Sequence, residues 1–272
     1  MGRAVTPALD RSIGAVARAE DNLVRARQLA TMTAGELAAA FAGDPADALP
    51  WVRAAAAHGV VEAQTRLGRM LLAGCGAPHD PVAALRWFHR AAGAGDADAA
   101  NMVGRCHENG WGTPADEAIA ALWYRRSAEA GDDWGAYNHA HMLFDGRGVE
   151  IDRGAAYGWY FRAAMQGHAR AMNLVGRCLE AGWGVAVDTQ QAETWYERSA
   201  HAGYFRGQFN HAVGLAKHGD AATALAWLQR AFEGGDAAMR ALIDAWFKAQ
   251  PQRPAPGRHE PCRANQPVPF RH

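Results

Sequence analysis

From Ala63 to Ala200 the small and apolar residues return at helical spacing, and the whole pattern returns every 36 residues. The stretch Asn101 to Asp132 reads NMVGRCHENGWGTPADEAIAALWYRRSAEAGD, and Asn173 to Tyr204, 72 residues on, reads NLVGRCLEAGWGVAVDTQQAETWYERSAHAGY. Ala99, Val103 and Gly104 lie along one helical stripe. Ala120, Trp123, Tyr124, Ser127 and Ala128 follow at i, i+3, i+4, i+7 and i+8, the apolar face of a second packed helix. Between the stripes stands a Gly-x-Gly: Gly74-Cys75-Gly76, Gly110-Trp111-Gly112, Gly146-Arg147-Gly148 and Gly182-Trp183-Gly184. Such a pair predicts a left-handed helix end and a tight reversal. Asp80, Asp116, Asp152 and Asp188 then precede the second stripe, where Asp caps a helix well, and Pro81 fills a first helical position. Each unit is therefore predicted to be two helices, with no strand. A fixed period of this length marks a stacked repeat protein. The recurring Trp51, Trp87, Trp123, Trp159, Trp195 and Trp227 are expected to fill the space within each helix pair.

Outside the repeat the pattern changes. Leu9, Ile13, Val16, Leu23 and Leu29 predict helix off the repeat frame, so residues 1–32 are assigned to an N-terminal extension or cap. Thr33 with Glu36 three residues on predicts a capped short helix. The repeat array is assigned to 33–249, with 237–249 as a capping helix. Residues 250–272, Gln250 followed by PQRPAPGRHEPCRANQPVPFRH, are proline-rich and are expected to form a disordered tail.

The sequence small-x-x-x-Leu-Gly, then Gly-x-Gly, Asp, Ala-x-x-Trp-aromatic-x-x-Ala/Ser-Ala and a closing Gly resembles the Sel1-like repeat, a relative of the tetratricopeptide repeats. The resemblance covers 60–203 strongly and 33–59 and 204–249 weakly. It implies an all-α, right-handed superhelical solenoid of helix-turn-helix repeats, and a role as a bacterial scaffold or adaptor for protein partners. It carries no catalytic residue. Three departures stand out: His139-Ala140 and His211-Ala212 replace Leu-Gly, and His107 replaces an apolar or tyrosine position. One secreted branch of the family is linked to penicillin binding, but its paired cysteines are missing here.

Charge and chemistry narrow the function. Lys+Arg and Asp+Glu are both 28, for a net charge of zero, which argues against a nucleic-acid groove. No apolar run reaches the roughly 18 residues of a membrane span, so no membrane insertion is expected. No secretory signal is recognised at the N-terminus. Cys75, Cys106, Cys178 and Cys262 fit neither a disulfide framework nor a zinc site, and reduced thiols point to the cytoplasm. His139 and His141 do not share a helix face, so they do not chelate, and His139 and His211 are expected as hydrogen-bonded core residues. No catalytic motif, metal set or cofactor fingerprint is found.

The binding signal lies on the first helices. Counting from the Gly of Leu-Gly, positions −2, +1 and +5 point away from the packed stripe. In a tetratricopeptide-like superhelix that side is concave, so Arg69, Arg105, His141 and Arg177 are expected to form a row down a groove, with Arg66 and Asn138 beside it. Arginine grips carboxylates in a bidentate fork, so the expected partner is a protein or peptide with acidic groups. Trp111 and Trp183 are expected to fold back between units. Two alternatives stay open: a hydrolase of a cell-wall-like amide, and a structural or regulatory subunit acting through its convex face. The oligomeric state is not indicated.

Overall fold

The computed structural model describes residues 24–25, 27–28 and 31–249. The predicted tail 250–272, Cys262 and most of the N-terminal extension 1–32 lie outside the described residues. Among the described residues there are thirteen helices and no strand. In chain order they are α1 (Ala34–Ala42), α2 (Pro45–Ala57), α3 (Val61–Ala73), α4 (Pro81–Gly93), α5 (Ala97–Asn109), α6 (Glu117–Glu129) and α7 (Asp133–Asp145). Then come α8 (Arg153–Met165), α9 (Ala169–Ala181), α10 (Thr189–His201), α11 (Phe205–Lys217), α12 (Ala221–Gly234) and α13 (Ala237–Lys248). They form two compact units: one ends at His168 and takes in Trp183–Val185, the other comprises Ala169–Gly182 and the described residues from Ala186 on.

The helix ends follow from local chemistry. Thr33 and Glu36 close a capping box on α1. The Asp80, Asp116 and Asp152 carboxylates accept the backbone N–H of Ala83, Ile119 and Ala155 at 2.9, 2.9 and 2.8 Å. Each also returns its own backbone N–H to the preceding helix; Asp116 donates to the His107 carbonyl at 2.8 Å. The Gly-x-Gly turn links the two helices of a repeat and packs against the preceding repeat. Gly112 has φ 74°, and a β-carbon there would overlap the Pro81 carbonyl at the start of α4. Only glycine satisfies both the dihedral and the approach.

In the first unit the aromatic residues that follow Trp87, Trp123 and Trp159 are the largest side chains of the core. Phe88, Tyr124 and Tyr160 are 0–1 % exposed. Phe88 and Tyr124 lie under the glycine of Leu-Gly or its equivalent: β-carbons at Gly68 and Gly104 would come within 2.5 and 2.6 Å of their rings. The Tyr124 hydroxyl donates to Glu108 at 2.5 Å, which fixes the ring's outer end. The expected role of the tryptophans needs correction here. Trp87, Trp123 and Trp159 are only half-buried, and the guanidiniums of Arg90, Arg126 and Arg162 lie 4.9, 4.9 and 5.1 Å from their ring centres. In the second unit Arg198 and Arg230 repeat the contact on Trp195 and Trp227, whose rings are nearly buried.

A second steric pattern alternates with the repeat. Ser127 on α6 faces Gly135 on α7, where a β-carbon would collide with the serine hydroxymethyl. The Ser127 hydroxyl instead donates to the Ala97 carbonyl at 2.7 Å. One repeat earlier the same two positions hold Ala91 and Ala99, both fully buried. In the second unit Ser199 and Gly207 restore the serine–glycine pairing.

Candidate protein-binding site

The face of α3 and α5 that points away from the core carries an open depression of about 750 Å³, lined by Arg69, Leu72, Pro81, Met102, Arg105 and Trp111 among others. Its walls follow from the repeat frame. Arg69 and Arg105 hold the same position on successive first helices, and Trp111 occupies the turn that ends α5. The Arg105 guanidinium lies 5.3 Å from the Trp111 ring centre and 3.7 Å from the Met102 sulfur. Trp111 is thus half-buried under an arginine and still forms part of the surface. No carboxylate pairs with Arg105 among the described residues.

Arg69 is already engaged. Its Nη2 donates to both carboxylate oxygens of Asp98 at 2.5 and 2.6 Å. Burial pushes the Asp98 carboxyl above its usual range, and Arg69 pulls it back in part. Arg66 donates to the Phe41 carbonyl and lies 5.6 Å from that ring's centre. On α7, Asn138 donates from Nδ2 to Asn101 Oδ1 at 2.9 Å. His141 has a different character from the arginines at its position. It is half-buried against Tyr137 and Tyr160, at 4.6 and 5.3 Å between ring centres, and burial lowers its pKa, so it is neutral at pH 7. Arg177 is exposed on α9, in the second unit. The structure thus brings Arg69 and Arg105 to one depression with Trp111.

Sequence reasoning passed over Asp98, the partner of Arg69, because a lone acid in the first turn of a helix reads as a cap. It also passed over Asn101, which occupies a stripe position taken by Thr65 in α3 and Tyr137 in α7. The clue was the return of Asn at Asn173, 72 residues on. His139 is buried as expected, edge-on to Trp159 at 5.6 Å, but its Nδ1 finds no hydrogen-bond partner, and burial lowers its pKa to about 4. His211 is only half-buried, against Trp227 and His201. Cys75, Cys106 and Cys178 are free thiols. Among the described residues no group of three or more His, Cys, Asp or Glu side chains is placed to hold a metal ion, and no helix is long and apolar enough to cross a membrane.

Stacked two-helix repeats with a polar, indented first-helix face define a helical repeat protein. The family described as Sel1 repeat matches residues 61–96, 97–132, 135–168, 169–204 and 203–236, and the chain belongs to it. Repeats of this family are generally protein–protein interaction scaffolds. Two solved structures are similar. A Sel1 repeat protein from Oxalobacter formigenes is 30% identical over 71% of this chain and 80% of its own, with a TM-score of 0.67. The protective antigen c5321 of uropathogenic Escherichia coli, described as displaying an SLR fold, is 32% identical over 76% of this chain, with a TM-score of 0.65. This chain spans 45% of the length of c5321. No curated protein matches the sequence.

Proposed function

We propose that the chain is a non-catalytic adaptor of the bacterial cytoplasm whose first-helix face holds a partner segment bearing acidic groups. One observation carries this reading. Arg69 already holds a carboxylate through Nη2, while the equivalent Arg105 lies beside it over Trp111 without one, across an open depression. The site suits a carboxylate on Arg105 with an apolar side chain against Met102 and Trp111. Arg66, Asn138 and His141 extend the face of the first unit, and Arg177 offers the equivalent cation on the second. A charge-assisted contact is worth about 1.5–3 kcal/mol, so each replacement in the Arg105→Ala, Arg177→Ala double variant weakens an acidic segment on its own unit by about tenfold to a hundredfold. Co-purification from the native host, compared between wild type and this double variant, tests the reading. Partners lost from the variant at unchanged melting temperature support it, and an identical partner list refutes it.

A further inference from the structure

The amide pair Asn101–Asn138 has unspent hydrogen-bonding capacity that packing does not explain. Asn101 is 6 % exposed and stands one turn before Arg105 on α5. Its Oδ1 accepts from Asn138 Nδ2, and this is the pair's single side-chain hydrogen bond among the described residues. The Asn101 NH2 and the Asn138 carbonyl oxygen therefore have no partner, yet neither is sealed from solvent. The second unit repeats the arrangement. Asn173, 3 % exposed, accepts from Asn210 at 2.8 Å and leaves the same two groups unspent. The intervening first helices hold Tyr137 and Phe209 at the Asn101 position, so the fold itself does not require an amide there.

A ligand that displaces solvent from these two groups must supply an acceptor and a donor in the same places, because an amide left unpaired once water is excluded costs free energy. Each pair offers one N–H donor beside one C=O acceptor. Exchanging oxygen and nitrogen in both side chains leaves that offer unchanged, so it does not depend on how the amides were oriented. The complement is a peptide main chain, because an extended residue can exchange both its N–H and its C=O with one facing partner. We propose that Asn101–Asn138 and Asn173–Asn210 are main-chain binding sites, each gripping one residue of an extended partner segment through its N–H and C=O. This deepens the adaptor reading and rests on it. The arginines select acidic segments, and the amide pairs hold any segment so placed, whatever its side chains.

The probe is the tightest binder from an array of end-blocked dodecapeptides rich in Asp and Glu. Asn101→Thr takes the residue found at that position in α3, and Asn138→Leu takes the residue found in α9, so both are substitutions this fold already accommodates. With Asn173→Thr, each is expected to weaken the probe about threefold to tenfold, the worth of a neutral hydrogen bond. The loss stays the same at about 0.5 M salt, whereas the effect of Arg105→Ala fades. Replacing peptide bonds of the probe one at a time by esters, which removes the N–H, finds at least one position that weakens wild type but not the Asn variants. Unchanged affinity in Asn101→Thr, Asn138→Leu and Asn173→Thr, with Arg105→Ala and Arg177→Ala still disruptive, overturns the main-chain sites and leaves the adaptor reading standing. An array in which nothing binds wild type overturns both.

Discussion

Replacing Tyr124 by Ala should destabilise the protein more than replacing its neighbour Trp123, although tryptophan is the larger ring. Tyr124 is 1 % exposed, and its ring packs under Gly104, a position without a side chain to move into the space left behind. A large aromatic removed from such a site costs about 3–5 kcal/mol. The variant also strips Glu108 of the tyrosine hydroxyl, although Arg147 still holds that carboxylate at 2.7 Å. Trp123 is half-buried, with Arg126 across its outer face. Its loss forfeits the buried part of the ring and a surface cation–π contact of roughly 0.5–1 kcal/mol, while the partly exposed site can relax into solvent, so the cost should be below that of Tyr124. Urea denaturation followed by circular dichroism at the helical band gives both values from midpoint and slope. A Trp123→Ala variant that loses as much stability as Tyr124→Ala would refute the assignment of the core to the residue after the tryptophan.

Other outcomes follow from the same contacts. Gly112→Ala meets a positive φ and the Pro81 carbonyl together, and should cost 3 kcal/mol or more on the order of combined strain and overpacking, read as a lowered melting temperature. Gly135→Ala should cost about 1–3 kcal/mol by overpacking, and adding Ser127→Ala should recover part of it, because it removes the hydroxyl overlap while the β-carbon at position 127 and the Ala128 nitrogen stay close; additive losses in the double-mutant cycle would refute the contact. The folded pKa of His139, about 4, lies below the ordinary histidine value of 6.5. The unfolded chain therefore takes up the proton first, so stability is full above about pH 6.5 and falls between there and pH 4, by on the order of 2–3 kcal/mol. His139→Leu, the residue at this position in α3, should flatten that slope in denaturation curves taken across the interval. Burial pushes the Cys106 and Cys178 thiols up to about 11, so an aromatic disulfide reagent at pH 8 should modify exposed Cys75 in the native protein and reach the other two only on unfolding.

The repeat frame was legible because a few requirements recur in register. Gly112 must be glycine for its approach to Pro81, and Asp116 must cap α6, so both write themselves into the sequence at fixed spacing. The balance between Trp123 and Tyr124 was not legible. Adjacent aromatics on one stripe differ by about 100° of helix rotation, and an Arg three residues on does not decide between them, since it follows half-buried Trp123 and buried Trp195 alike. The candidate site was legible by position and not by state. Counting residues placed Arg69 and Arg105 on one face, but the pairing of Arg69 with Asp98 joins residues on different helices, 29 apart in sequence. His141 fits the count as well as the arginines do, while the aromatic side chains around it on α7 and α8 decide that it carries no charge.

The alternation between Ala91/Ala99 and Ser127/Gly135 gives the chain a grammar of two words. Removing the 36 residues from Asp133 to His168 would set Ser127 before Ala171, a hydroxymethyl against a methyl where the native pairing tolerates only hydrogen. Removing the 72 residues from Ala97 to His168 would set Ala91 before Ala171, a pairing of the kind already present. Removing the 36 residues from Ala97 to Asp132 would set Ala91 before Gly135, which leaves a gap instead of a collision, so the doublet is the smallest block whose removal or copying restores a native pairing. Lengthening by doublets would also carry the amide pair along with each copy, so growth of the array and multiplication of its binding elements would be a single event.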